Sequence, residues 1–229
     1  MWRRFLDKFV IPTLFISVSA IFIAMFVVEI ISQTTVSHQI VKVDEELFEE
    51  SYTISSFDPI FKEIAEEYSL DWILLAAIAS TESEFRADAV SQVGAIGLMQ
   101  IMPHVAHNMG YSREQLLDAR TNVEVAAKLL HENNRMLNLD KDFDTEEQVK
   151  FVLACYNAGY SRISDARRLA QYYDADHNKW NIVALFLSWL SDPEFAECEV
   201  VRSGTFYGSD ETISYVDKVI DTYNTYSNI

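Results

Sequence analysis

Glycine and proline are scarce in this 229-residue chain, at six and four, which excludes collagen-like and long low-complexity segments. Cysteine is scarcer: Cys155 and Cys198 are the only two, too few for a disulfide framework. Cys155 lies in an apolar helical run and reads as a buried free thiol. No Cys-x-x-Cys or His-Glu-x-x-His spacing is present. The five histidines, His38, His104, His107, His131 and His177, are scattered. His104 and His107 share a helix face, which is weak ground for a metal site, so neither metal nor cofactor is expected. Basic residues are also short: 18 against 35 acidic, a formal charge of −17. Such a surface repels polyanions and excludes a nucleic-acid binder, but it tolerates neutral glycans. Apolar residues at 49% and aromatics at 13% are ample for a core.

One stretch carries no charge at all. FVIPTLFISVSAIFIAMFVV, residues 9–28, is as long as a bilayer-spanning helix and longer than the usual apolar region of a secretory leader. Its small-residue triplet Val18-Ser19-Ala20 lies inside the run, and no cysteine is there to carry a lipid. Arg3, Arg4 and Lys8 precede it; Glu29 and Asp44-Glu45-Glu46 follow. This order predicts a cytoplasmic tail over 1–8, a transmembrane helix over 9–31 in the cytoplasmic membrane, and everything beyond it on the far side. Residues 32–56, polar and acidic, read as a stalk, and residues 57–229 as the exposed domain.

That domain reads as all-α. Pro59 fits the first turn of a helix after Asp58, and Asp71 is a good N-cap for a second. A long loop follows, and Pro103 opens a further short helix. Helical periodicity continues over 121–137, 145–158, 161–173, 182–190 and 210–226. Residues 198–207, CEVVRSGTFY, read as a short hairpin.

The unusual feature lies where the second helix meets the loop. Glu82 falls on the same helical line as Ile78 and Phe85. Apolar neighbours disfavour a carboxylate and raise its pKa, as a general acid near neutral pH requires. A boundary glutamate that merely reaches for solvent is the plain alternative. Glu84 points to another face, and Ser83 can orient locally. Gly94 and Gly97 then allow close approach of a ligand to the backbone, without the spacing of a dinucleotide or P-loop motif. Met99-Gln100 places a polarisable apolar group beside an amide, a pairing suited to a sugar.

The run ESEFRADAVSQVGAIGLMQIMP, residues 82–103, resembles the first signature of the lytic transglycosylases of the soluble-Slt type, E-S-x-F-N-P-x-A-x-S-x-x-G-A-x-G-L-M-Q-x-M-P. Three further blocks occur in the family's order. Residues 122–130 resemble N-I-x-x-G-x-x-Y-L, residues 155–159 resemble A-Y-N-A-G, and residues 211–216 resemble E-T-x-x-Y-V. The chain departs at Arg86-Ala87, Ala126 and Cys155.

The resemblance implies a lysozyme-like helical domain over 57–229 that acts on peptidoglycan strands, periplasmic and tethered by residues 9–31. It implies cleavage of the bond between N-acetylmuramic acid and N-acetylglucosamine, with Glu82 as acid and then base and a 1,6-anhydro end as product. By position, Ser91, Met99, Gln100, Tyr156 and Asn157 would contact substrate. Ser83, Gly94, Gly97, Glu211 and Tyr215 would support the site. A tether suits both general wall turnover and local wall opening for a secretion apparatus, so machinery proteins of either kind are candidate partners. Two rival readings remain. A goose-type muramidase would use water and a second acid, Glu211 or Asp88. A non-catalytic glycan-binding or scaffold module would need neither, and an intact Glu82 and Tyr156 argue against it.

Overall fold

Asp58 opens the domain by capturing the chain that leads into it. Its carboxylate accepts from the N–H groups of Ile54 (2.7 Å) and Ser55 (2.9 Å). The structure, a computed structural model, describes residues 53–139 and 143–228. The expected membrane span of residues 9–31, and the stalk up to residue 52, lie outside the described residues. No helix among the described residues is long and apolar enough to cross a membrane.

Nine α-helices follow among the described residues: α1 Asp58–Tyr68, α2 Trp72–Ser83, α3 Pro103–Asn108, α4 Ala119–Leu137, α5 Thr145–Ala158, α6 Tyr160–Tyr172, α7 Trp180–Trp189, α8 Pro193–Ala196 and α9 Ser209–Ser227. A 3-10 turn, Glu114–Leu117, precedes α4. No strand forms among the described residues; the loop after α2 carries two isolated antiparallel bridges, Val90 with Ile96 and Ile96 with Ile101.

Local chemistry explains most boundaries. Asp71 caps α2 through Ile73 N–H (2.8 Å). Asp118 caps α4 through Thr121 N–H (2.9 Å), so α4 begins two residues earlier than its periodicity predicts. Asp144 takes the N–H groups of Glu146 and Glu147 and starts α5. Each such cap is worth about 1 kcal/mol.

Helix α2 is buried almost all round: Leu75, Ala76, Ala77, Ile78 and Ala79 are solvent-free. A helix apolar on every face must sit at the centre of a domain, and α1 and α9 pack against it. Phe61, Ile64, Leu130, Phe151 and Val216 complete the core around it. Each fully buried side chain of this size stabilises the fold by about 1.5–3 kcal/mol. Cys155 is buried, Cys198 partly so, and both are free thiols.

Residues 198–207 do not form the expected hairpin. Their backbone groups are taken by side chains of α6 instead. Buried Asp165 accepts from Arg202 N–H (2.9 Å) and Ser203 N–H (2.8 Å), and is itself paired with Arg168. Arg168 donates to Val200 O (2.8 Å), and Arg162 to Ser203 O (2.5 Å) and Gly204 O (2.9 Å).

Candidate active site

Glu82 occupies the last turn of α2, partly buried. Burial pushes its carboxyl from the ordinary 4.5 up to about 7. The Tyr215 hydroxyl and Lys218 pull it down, and the charge of Glu211 pushes it up. The carbonyl end of a helix also disfavours a negative charge there. Such a group holds its proton near neutrality and can still release it, as a general acid and base must.

Three of these partners share one stripe of α9. Glu211, Tyr215 and Lys218 are spaced i, i+4, i+7 and so lie on one face. The buried residues Thr212, Val216 and Val219 anchor that helix in the core. The Tyr215 hydroxyl is buried and has no partner at normal hydrogen-bond geometry, yet it acts on Glu82 as a donor. The two groups are close enough to influence each other's protonation without a hydrogen bond of normal geometry. Burial and the neighbouring Glu82 both hold the Tyr215 phenol well above its ordinary pKa, so it stays protonated.

The backbone beyond Glu82 is strained. Glu84 and Phe85 follow each other with φ of 54° and 61°, a left-handed conformation that is an outlier for a bulky residue. Gln100 has φ of 47°. Strain of this kind costs of order 1–3 kcal/mol per residue and gathers at functional sites. Ser83 helps to impose it. Its hydroxyl donates to Leu98 O (2.8 Å) and accepts from Arg86 N–H (3.1 Å), which folds the loop back onto the helix end.

The loop is then fixed from below by Asn122, a buried residue of α4. Its Oδ1 accepts from Met99 N–H (2.8 Å), and its Nδ2 donates to Ile96 O (2.9 Å) and Leu116 O (3.0 Å). Gly97 makes the approach possible. With φ of +81°, a Cβ there would lie 2.4 Å from Asn122 Nδ2 and 2.9 Å from Leu116 O. Gly94, with φ of +89°, faces open space, so its requirement is conformational alone.

The other expected site residues fall into two groups. Tyr156 and Asn157 end α5 beside Glu82 and α9. The Tyr156 hydroxyl donates to Met99 O (2.7 Å), and burial followed by the nearby Glu82 charge holds its pKa well above the ordinary value. Asn157 Oδ1 accepts from Thr212 Oγ1 (2.8 Å). Met99 is buried, while Ser91 and Gln100 are half-buried and bond within the loop itself. Ser91 Oγ accepts from Ala95 N–H (2.9 Å). The Met99 side chain is solvent-free, so its backbone is what meets Asn122 and Tyr156. Gln100 Nε2 donates to Gly97 O (2.9 Å) and Ala89 O (3.3 Å).

Asn122 and Lys218 are the site residues that the sequence reading left without a role. The signal for Asn122 was an amide at the start of an apolar helical face. Lys218 had no local signal.

A family model described as Transglycosylase SLT domain matches residues 59–181; α9, with Glu211 and Tyr215, lies beyond that stretch. The membrane-bound lytic murein transglycosylase F of Marinobacter nauticus is 35% identical over 141 residues, covering 61% of this chain and 27% of its own length. That of Desulfosudis oleivorans is 30% identical over 175 residues, covering 73% of this chain and 36% of its own. The chain therefore spans between about a quarter and a little over a third of the length of these curated relatives. In fold it is similar to the lytic transglycosylase Slt of Pseudomonas aeruginosa, solved as an inactive glutamate-to-glutamine mutant. The TM-score is 0.53 at 24% identity, over 76% of this chain and 24% of that one.

Proposed function

This chain belongs to the transglycosylase SLT domain family, and on that premise we propose that it is a peptidoglycan lytic transglycosylase. It cleaves the β-1,4 bond between N-acetylmuramic acid and N-acetylglucosamine without consuming water. The observation that carries the proposal is Glu82: a carboxyl raised to about 7 beside two protonated phenols. The name of the curated relatives, membrane-bound lytic murein transglycosylase F, supports the same reaction.

The steps follow from that one group. Neutral Glu82 gives its proton to the glycosidic oxygen as the bond breaks, and N-acetylglucosamine leaves with a free hydroxyl. The substrate's own acetamido group stabilises the electron-poor anomeric carbon. The Glu82 carboxylate so formed accepts a hydrogen bond from Tyr215 while the charge persists. It then takes the proton of the muramyl C6 hydroxyl, whose oxygen bonds to the anomeric carbon and closes the 1,6-anhydro ring. Glu82 ends neutral and ready for another cycle. Acid–base assistance of this kind contributes about 10²–10⁴-fold, and holding the C6 hydroxyl in place adds an orientation effect. Tyr156 keeps the strained loop under Glu82 through Met99 O. Glu211, exposed in the first turn of α9, raises the proton affinity of Glu82 through its field.

We assign the catalytic role to residues 57–229 and a single membrane span to residues 9–31, with residues 1–8 cytoplasmic and the domain periplasmic. The uncharged run and the basic residues before it support the tether, as does the membrane-bound description of the relatives. The test of the enzyme is digestion of purified sacculi by the full chain. Glu82→Gln, nearly isosteric, abolishes release of soluble muropeptides at an unchanged helical circular-dichroism spectrum. Retained release by that variant overturns the assignment.

A further inference from the structure

Tyr207 is 79% exposed, yet it stands on a loop held by several side-chain hydrogen bonds from α6. Burying a carboxylate is costly unless it is fully paired, and the fold buries Asp165 completely to bind Arg202 and Ser203 N–H. Arg162 adds two bonds to Ser203 and Gly204 and lies over the Phe206 ring, 5.5 Å from its centre. Phe206 N–H donates to Leu190 O (2.8 Å). Phe206 is turned in as the anchor, and its ring stands 2.8 Å from where a Cβ on Gly208 would be. Tyr207, between the two, is turned out.

The placement connects this ring to the site. Gly208 O accepts from Thr212 N–H (3.0 Å), and Thr212 Oγ1 bonds Asn157 (2.8 Å). Glu211, whose charge reaches Glu82, lies in the same turn. Tyr207 thus stands at the end of α9 that presents Glu211 and Tyr215 to Glu82.

We propose that Tyr207 is a sugar-binding residue at the rim of the site, its ring receiving the C–H face of a pyranose that flanks the bond Glu82 cleaves. The inference rests on the glycan substrate argued above. A tyrosine offers a large, stiff, amphipathic surface at low entropic cost, and the negative face of its ring attracts weakly positive C–H groups. The bracing by Asp165 and Arg162 holds the loop before ligand arrives, so binding pays little for ordering it.

The test uses the full chain carrying Glu82→Gln, so that nothing is cleaved, and two probes: soluble glycan strands of alternating N-acetylglucosamine and N-acetylmuramic acid, and hexa-N-acetylglucosamine. Affinity is read by calorimetry. Tyr207→Ala weakens both probes by about 3- to 10-fold, the worth of an aromatic contact. Tyr207→Phe and Tyr207→Trp keep the affinity, because the face and not the hydroxyl makes the contact. With Glu82 intact, the loss in Tyr207→Ala appears in KM rather than kcat. Equal affinity of the alanine variant overturns the inference, as does a phenylalanine variant as weak as alanine. The two levels separate cleanly: if neither probe binds the parent chain, the proposed function fails, whereas binding that ignores position 207 sinks the stacking role alone.

Discussion

The phenol of Tyr156 donates a 2.7 Å hydrogen bond to the carbonyl of Met99, joining the end of α5 to the strained loop that follows Glu82. The same loop segment is held from the other side by Asn122, through Met99 N–H. One residue, Met99, is therefore clamped at both its backbone groups while its side chain fills the core. Tyr156→Phe keeps the packing and removes one clamp. The expected cost is about 1–2 kcal/mol, for a carbonyl left without that partner. Urea denaturation reads it as a lower midpoint at unchanged slope. Loosening the loop also lowers kcat, on the order of tenfold.

The raised pKa of Glu82 predicts two pH effects. Catalysis starts from the protonated form, so the rate falls as pH rises through about 7. Stability follows the same group. Below its ordinary value of 4.5, Glu82 is protonated in both folded and unfolded chains and contributes no difference. Between 4.5 and about 7 the unfolded chain gives up the proton first, so the native state loses stability as pH rises. Glu82→Gln removes that loss. The variant gains on the order of 1–3 kcal/mol over the parent at pH 8 and nothing at pH 4. Thermal unfolding of the pair across this range checks it, and a gain independent of pH contradicts it.

Tyr215→Phe separates positioning from stability. The hydroxyl is buried without a well-formed partner, so replacing it costs less than about 1 kcal/mol. Its loss removes a donor that holds the Glu82 pKa down. The alkaline limb of the pH–rate profile therefore moves to higher pH in the variant. A limb that stays in place shows that the phenol does not act on Glu82.

Gly97 and Asn122 are predicted to be coupled. Asn122→Ala leaves Met99 N–H, Ile96 O and Leu116 O without their partner and costs about 2–4 kcal/mol. Gly97→Ala drives a Cβ into the same amide and costs a similar amount, part of it from the positive φ. The two together cost less than their sum, because alanine at 122 clears the collision with the side chain. Strict additivity in a double-mutant cycle contradicts the clamp.

Most of the helices, and a carboxyl in apolar surroundings at position 82, were legible in the sequence because their signals are local. Asp71, Asp144 and Pro59 act within a turn of themselves, and Ile78, one turn before Glu82, marks the apolar face it sits on; Phe85, expected on the same helical line, lies past the end of α2 in the left-handed conformation. What escaped depends on partners far along the chain. Nothing near Met99 says that its side chain is needed in the core while its backbone meets Asn122 and Tyr156. Residues 198–207 alternate like a strand around Ser203-Gly204, but Arg162, Asp165 and Arg168 on α6 claim their backbone groups first. Lys218 reaches Glu82 only because α9 packs on α2, a contact across more than a hundred residues.

Mass spectrometry of the fragments released from sacculi tests the central claim most directly. If Glu82 serves as both acid and base on one substrate, the muramyl ends are 1,6-anhydro rings, lighter by one water than ordinary sugar ends and resistant to borohydride. Ends that borohydride reduces, carrying oxygen from labelled water, mean that water attacked instead, and the ring-closing mechanism is wrong.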